Sequence, residues 1–288
     1  MSAVDETKPT VGAMAIASAD APDAPSPMYK AFLRRVRLRR WLIVVCQILA
    51  LALFLAIWEI APRAHWVNPM LTSYPSAIWP AFVEMLGNQD NDILYHTWVT
   101  LIETIVGFTI SMVLGVVVAV MLWWWDFLYR VVDPFMVVAN ALPKIALVPI
   151  FYIWLGDTSS IYAMAVAIAI FITILMIYTG FRESDANQIK LIRTFGASKA
   201  QILRKVVLPA SVPVMIAALK INVGLALVGV IVGEFQAAKA GLGHLIIYGS
   251  QIFAMNLVMV SVTILGVIST VMYLMILVVE TRVMQHRQ

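Results

Sequence analysis

Apolar residues along this chain run in long blocks, separated by short polar segments, and not in the one-faced spacing of a water-exposed helix. Blocks of spanning length lie at about 41–61, 97–124, 135–155, 160–181, 212–233 and 257–280. About 20 residues at about 1.5 Å rise each cover a hydrocarbon core of roughly 30 Å, so each block crosses once. The pattern predicts an all-α membrane protein with about six transmembrane helices. Pro134, Pro143, Lys144 and Pro149 interrupt the third block. Prolines survive in a membrane helix where neighbours satisfy the freed carbonyls, which predicts a kinked helix facing protein.

The polar segments organise the rest. Residues 1–27, rich in Ala, Pro, Ser and Asp and without periodicity, predict a disordered tail ahead of a membrane domain over 28–288. The stretch "KAFLRRVRLRRW" then places six cations immediately before the first block, which has full spanning length and reads as an uncleaved anchor. Between the first two blocks, "MLTSYPSAIWPAFVEMLGNQDNDILYHTW" reads as an external loop with a short interfacial helix. Near the end of the fifth block, Gly241 and Gly243 suit a tight turn before a short helix packing back on the bundle.

Charge sets the orientation. With the amino terminus inside, the inner segments hold the six cations from Lys30 to Arg40, Arg130, six more from Arg182 to Lys205, and Arg282 and Arg287. The outer segments hold only Arg63 and Lys239. This asymmetry predicts a multi-pass protein of the cell (inner) membrane with both termini cytoplasmic.

Composition agrees: 62% of residues are hydrophobic, 12% are charged, and the mean hydropathy is +0.90. The formal net charge of +4 reports membrane orientation and gives no reason to expect a nucleic-acid partner. The single cysteine, Cys46, allows neither an internal disulfide nor a cysteine metal cluster.

Chemistry is sparse. There is no G-x-x-x-x-G-K-[ST] loop, no Gly-Lys pair, no Gly-x-Ser-x-Gly and no His-Glu-x-x-His. His65, His96, His244 and His286 lack metal-ligand spacing and read as surface or interfacial. No catalytic residue, metal ligand or bound cofactor is expected. Polar residues within the blocks mark pathways or contacts between helices. Glu59, Lys144 and Glu234 fall near block ends, where snorkelling or capping accounts for them, and Lys220 reaches the inner interface along its stem. Glu103, Asn140 and Asn222 sit deeper, open between a translocation pathway and a helix-to-helix hydrogen bond.

The longest polar interruption is residues 182–210. A helix from about Asp185 to Thr194 puts Ile189, Ile192 and Phe195 on one side. Gly196 and Ala197 turn the chain, and Ser198 caps a second helix whose Ile202, Leu203, Val206 and Val207 form an apolar face. Leu208 and Pro209 end it at the membrane. Two short helices on the inner surface result, their stripe lying on lipid heads or docking into a partner.

Gly196, Val206, Leu208 and Pro209 carry the spacing of the cytoplasmic loop signature in permease subunits of binding-protein-dependent ABC importers, which this chain resembles. Where that signature opens with an acidic-small-small triplet, the chain has Lys190, Leu191 and Ile192. The resemblance covers roughly residues 70–282. It is carried by "YPSAIW", "HTWVTLIETIVGFTISMVLGVVVAV", "VVDPFMVVANALPKIALVPIFYIWLG", "FGASKAQILRKVVLPASVP" and "VGEFQAAKAGLGHLI", in the order of the nitrate, sulfonate and taurine branch. It implies the type I importer (MetI-like) fold and a pore of two permease copies in membrane lipid. It also implies cytoplasmic ATPase subunits carrying ATP and Mg and gripping the 182–210 loop, and an extracytoplasmic solute-binding protein. Alternating access of a small anion such as a sulfonate, taurine or nitrate follows from it, with an aromatic acid or vitamin precursor as the alternative solute. An ion-coupled carrier and a membrane scaffold are the competing classes; no internal repeat marks the first, and the ordered family matches speak against the second.

Overall fold

The computed structural model describes residues 27–68, 71–86 and 92–285, and every regular element among them is helical. The tail expected over 1–27 therefore lies, but for its last residue, outside the described residues. Contacts divide the chain at Ile57 into two units. The described part of the first is the Pro27–Ile57 stretch of α1 (Pro27–Arg63), a cationic turn followed by apolar side chains that are exposed, as a helix bathed in lipid requires.

The second unit starts at the end of α1. Trp58 Nε1 donates to Ser73 O at 2.8 Å, and Glu59 accepts from the Ser76 backbone N–H (3.0 Å) and hydroxyl (2.7 Å). Glu59 thus pins the start of α2 (Pro75–Leu86), whose first-turn N–H groups have no intrahelical acceptor. Helix α3 (Ile93–Trp124) is capped by the Asp92 carboxylate and spans roughly 48 Å at 1.5 Å per residue, enough to cross and project beyond the bilayer core.

The third apolar block is bent sharply. Helix α4 (Asp126–Ala141) and a 3₁₀ turn, Lys144–Leu147, leading into α5 (Val148–Leu155) meet at 89°. Pro143 has no N–H to continue the ladder and drives Leu142 to ψ 138°. Beyond it, α6 (Asp157–Arg182) crosses fully, followed by α7 (Ala186–Thr194) and the single turn α8 (Lys199–Ile202).

Here the structure departs from the expected second surface helix. Helix α8 does not stop at Pro209 but widens into a π turn, Leu203–Val207, and continues as α9 (Leu208–Ala237), a single helical path from Lys199 to Ala237. Pro209 directly follows the wider turn, which closes with Leu208 N–H bonded to Leu203 O and accommodates a residue that has no N–H. Helix α10 (Leu242–Gln251) and α11 (Met255–Gln285) complete the chain. Among the described residues five helical paths have the length and composition to cross a membrane, or six with the bent pair as one.

Helices α3, α6 and α9 form the central layer, held together by small residues. A Cβ on Gly107 of α3 would lie 2.6 Å from Ala165 Cβ, and one on Gly229 of α9 would lie 2.5 Å from Ala165 Cα. Both neighbours of α6 thus approach to backbone contact at Ala165, as membrane helices do where lipid supplies no drive to associate. Contacts from Gly107 and Gly115 of α3 to Ala165 and Thr173 of α6 show these two helices parallel. Ser211, Asn222 and Gly229 of α9 meet Gly180, Thr173 and Ala165 in reverse order, so α9 is antiparallel. At the Arg182 end, Ile177, Phe181, Ile202 and Val207 lie in an apolar cluster with Leu122. On α9's other flank, α2, α10 and α11 share a second cluster around Leu242, Leu245 and Val260.

Candidate functional site

Two regions of the second unit carry organised polar chemistry, one at each end of the central layer. At the Arg182 end, Asp185 caps α7 by accepting from Asn187 N–H at 2.8 Å. The helix closes at Gly196, where φ is +77° and the N–H bonds Arg193 O. Among the described residues none beyond its two chain neighbours comes within 4 Å of where a Cβ on Gly196 would sit, so backbone conformation, not space, restricts that position. Ser198 and Gln201 form a reciprocal capping box at the start of α8. Lys199 donates from Nζ to Trp124 O at 2.5 Å and lies over the Trp123 and Trp124 rings, tying the turn to the end of α3.

The apolar stripe divides in a way the sequence did not reveal. Ile202 and Val206 are buried, Ile189, Ile192 and Ala197 are half-buried on the bundle's own cluster, and Leu208 and Pro209 are half-buried at the start of α9. Exposed hydrophobic surface remains at Phe195, 80% accessible, and at Leu191. Lys190, Arg193, Arg204 and Lys205 of the same segment are exposed too.

At the Asp157 end, Glu234 of α9 is 1% exposed, so of the snorkelling and capping expected near a block end it is capping that the structure shows. Its Oε1 accepts from the Thr100 hydroxyl and its Oε2 from Gly243 N–H, each at 2.6 Å. Thr100 Oγ1 in turn accepts from Leu242 N–H at 2.7 Å, and His96 Nδ1 accepts from Gly241 N–H at 2.9 Å. Side chains from α3 and α9 thus satisfy first-turn donors of α10. Gly241 has φ +111° and ψ 164°, a region nearly restricted to glycine, and a Cβ there would collide with the Glu234 carboxyl. His96, read as interfacial, is buried and stacks on His244 at 6.2 Å.

Glu103 lies one turn further along α3, 6% exposed, its carboxyl within hydrogen-bonding range of Glu234. Its Oε2 finds no hydrogen-bond partner among the described residues. Glu103 lines a cavity of about 330 Å³ together with Tyr95, Asp157, Thr158, Ile161 and Lys239. Asp157 and Lys239 are paired at 2.8 Å, and this contact holds the Lys239 ammonium above its usual range.

The other intramembrane polar residues bridge helices or turns. Asn222 accepts from the Ser111 hydroxyl at 2.9 Å and donates to Thr173 Oγ1 at 2.6 Å, linking all three central helices. Asn140 is half-buried and its carbonyl accepts from Lys144 across the bend at 2.8 Å. Lys220 pairs with Glu280 of α11 at 2.5 Å. Sequence reading missed His96, Thr100, Ser111 and Thr173. The spacing of His96, Thr100 and Glu103 at i, i+4 and i+7 was the available signal for one polar face. Among the described residues no group of three or more potential ligands could hold a metal ion.

A layer of long apolar helices packed through small residues, with a capped turn at one end and a polar cluster at the other, defines a polytopic membrane protein. Residues 111–285 match the family of binding-protein-dependent transport system inner membrane components, and the chain belongs to that family. The formylaminopyrimidine transport permease protein ThiX of Halalkalibacterium halodurans is 30% identical over 193 residues, 67% of this chain and 76% of that protein. A putative aliphatic sulfonates transport permease, SsuC of Bacillus subtilis, is 23% identical over 238 residues, 82% and 85% of the two chains. An inward-facing structure of the MetNI methionine ABC transporter superposes with a TM-score of 0.55 over 64% of this chain and 92% of that one, at 21% identity, which establishes likeness of fold. As an inner-membrane permease subunit the chain works beside an ATPase and a binding protein.

Proposed function

We propose that this chain is the pore-forming subunit of an ATP-driven importer working by alternating access, with α7, Gly196 and α8 as the coupling element. The supporting observation is the division of the stripe: Ile202 and Val206 root the element in the bundle, while Phe195 and Leu191 stay exposed on a segment whose Lys190, Arg193, Arg204 and Lys205 are exposed as well. A groove on a cytoplasmic ATPase receives those two side chains. Because α8 continues into α9, movement of the docked element is transmitted directly to a crossing. Two copies form the pore, a solute-binding protein delivers at the Asp157 end, and both termini face the cytoplasm, as the excess of Lys and Arg in the α1, α7 and α8 segments supports. Leu191 belongs to the triplet that departs from the family signature and stands where a small residue is expected, so this pairing has its own hydrophobic contact there.

Two substrate classes are represented among the relatives: small anions, as in the sulfonate permease, and a nitrogen heterocycle, as in the formylaminopyrimidine permease. The acidic lining of the outer cavity favours the second.

Phe195→Asp should abolish solute-stimulated ATP hydrolysis by the complex in proteoliposomes while the permease still inserts and dimerises. Gly196→Val should do the same through backbone strain, and Gly196→Asn, which tolerates positive φ, should keep most of the activity. Full coupling in Phe195→Asp would refute the assignment.

A further inference from the structure

The arginines near the start of α1 are arranged for more than orientation. Arg34, Arg35, Arg37, Arg39 and Arg40 are all exposed, and the helix runs through them without a break into the apolar stretch that begins at Trp41. At 3.6 residues per turn they fall round the whole circumference, with no gap between neighbours wider than about 100°, and they occupy about 9 Å of the helix axis. A helix lying in the interface would keep its cations on one face. An all-round collar belongs to a helix that stands upright, and Trp41 marks the headgroup depth directly beside it.

The collar has no counter-charge of its own. No Asp or Glu occurs in α1 before Glu59, and among the described residues none of the five arginines is in an ion pair. Arg35 and Arg39 are four residues apart, and Arg34, Arg37 and Arg40 follow at intervals of three, spacings at which like charges on a helix repel. Residues 41–57 are exposed throughout, so lipid reaches the collar from every side. The residue type also matters. Five of the six cations from Lys30 to Arg40 are arginine, whereas half of the six from Arg182 to Lys205 are lysine. Orientation counts Lys and Arg alike. Phosphate does not: a guanidinium forks onto two of its oxygens, while an ammonium acts as a point charge.

We propose that Arg34, Arg35, Arg37, Arg39 and Arg40 form a phosphate-binding collar that gathers anionic phospholipids round α1. The occupants are lipids with a phosphodiester and no cation beside it, such as phosphatidylglycerol. A zwitterionic headgroup offers the same phosphate but brings an ammonium that the collar repels. Anionic headgroups also relieve the repulsion among the arginines, which the helix otherwise bears alone.

The test is native mass spectrometry of the full-length permease released from nanodiscs of phosphatidylglycerol and phosphatidylcholine in equal amounts. Wild type retains phosphatidylglycerol over phosphatidylcholine by about fivefold or more, the direction in which polybasic segments beside a membrane helix select lipid. Combining Arg34→Gln, Arg35→Gln, Arg37→Gln, Arg39→Gln and Arg40→Gln brings that ratio close to parity. Changing the same five to Lys loses at least about half of the excess, because charge remains and the forks do not. The lysine variant keeps the cation count that orients α1, so its result stands even where the glutamine variant fails to insert. Lys190→Gln, Arg193→Gln, Arg204→Gln and Lys205→Gln together leave most of the excess in place.

Parity in wild type, or a full excess in the glutamine variant, overturns the collar. A full excess in the lysine variant overturns the role of the guanidinium groups. An equal loss from the four loop substitutions overturns the assignment to α1, since the attraction would then follow the charge of the whole chain.

Discussion

The contact between Glu234 and the turn at Gly241 allows a quantitative test by a pair of substitutions. Glu234→Ala removes the acceptor of two buried donors, the Thr100 hydroxyl and Gly243 N–H. At about 1–3 kcal/mol for each orphaned group the loss is about 2–6 kcal/mol. Hydrogen bonds between membrane helices average about 0.6 kcal/mol, because the unfolded chain in the membrane finds other partners. The expected loss is therefore near the lower end, about 2 kcal/mol. Gly241→Ala forces a residue with a Cβ into the φ +111°, ψ 164° region, at about 1–3 kcal/mol, and drives that Cβ into the Glu234 carboxyl. In the double variant the collision is gone while the backbone strain remains. Gly241→Ala should thus cost less in the Glu234→Ala background, with a coupling energy of about 0.5–3 kcal/mol. Unfolding in mixed SDS and dodecylmaltoside micelles, followed by circular dichroism, measures all four corners of the cycle. Losses that add to within about 0.3–0.5 kcal/mol would refute the geometry described for this turn.

Asn222→Leu should lower stability by about 1–3 kcal/mol in the same assay, since it breaks bonds to Ser111 and Thr173 and leaves their hydroxyls to bond within their own helices; an unchanged midpoint would remove Asn222 as a bridge of the central layer. Lys239→Met should matter only modestly and less at high salt, because the pair with Asp157 is exposed. The pairing raises the Lys239 pKa above its ordinary 10.5, so its contribution is complete below that value and is lost as pH rises through the folded-state pKa. The difference between wild type and Lys239→Met should be flat at neutral pH and shrink in strong alkali, and a difference that grows on alkalinisation contradicts the assignment.

What the chain's linear pattern determined was the solvent and the element type. Apolar blocks near 20 residues have one economical structure in lipid, the helix, because each of its backbone groups finds a partner a few residues away. The break at Pro143, the turn at Gly196 and the cap at Ser198 were legible for the same reason: each depends on the residue and its immediate neighbours. The stop expected at Pro209 was not local in this sense. A π turn absorbed the missing N–H, so one helix runs from the coupling segment through the layer.

Tertiary structure alone decided which polar residues face one another and which apolar ones remain free. Ile202 and Phe195 look alike in a stripe, but Ile202 falls between helices that come from elsewhere in the chain and Phe195 does not. Glu234 reads as a residue at a helix end until Thr100, 134 positions away, and the α10 turn close around it. Glu103 differs from it in one respect that no pattern encodes, an oxygen left without a donor. Such distinctions depend on distances between remote segments, which are set when α3, α6 and α9 pack through their small residues, whereas sequence periodicity reports only which side of a helix a residue is on.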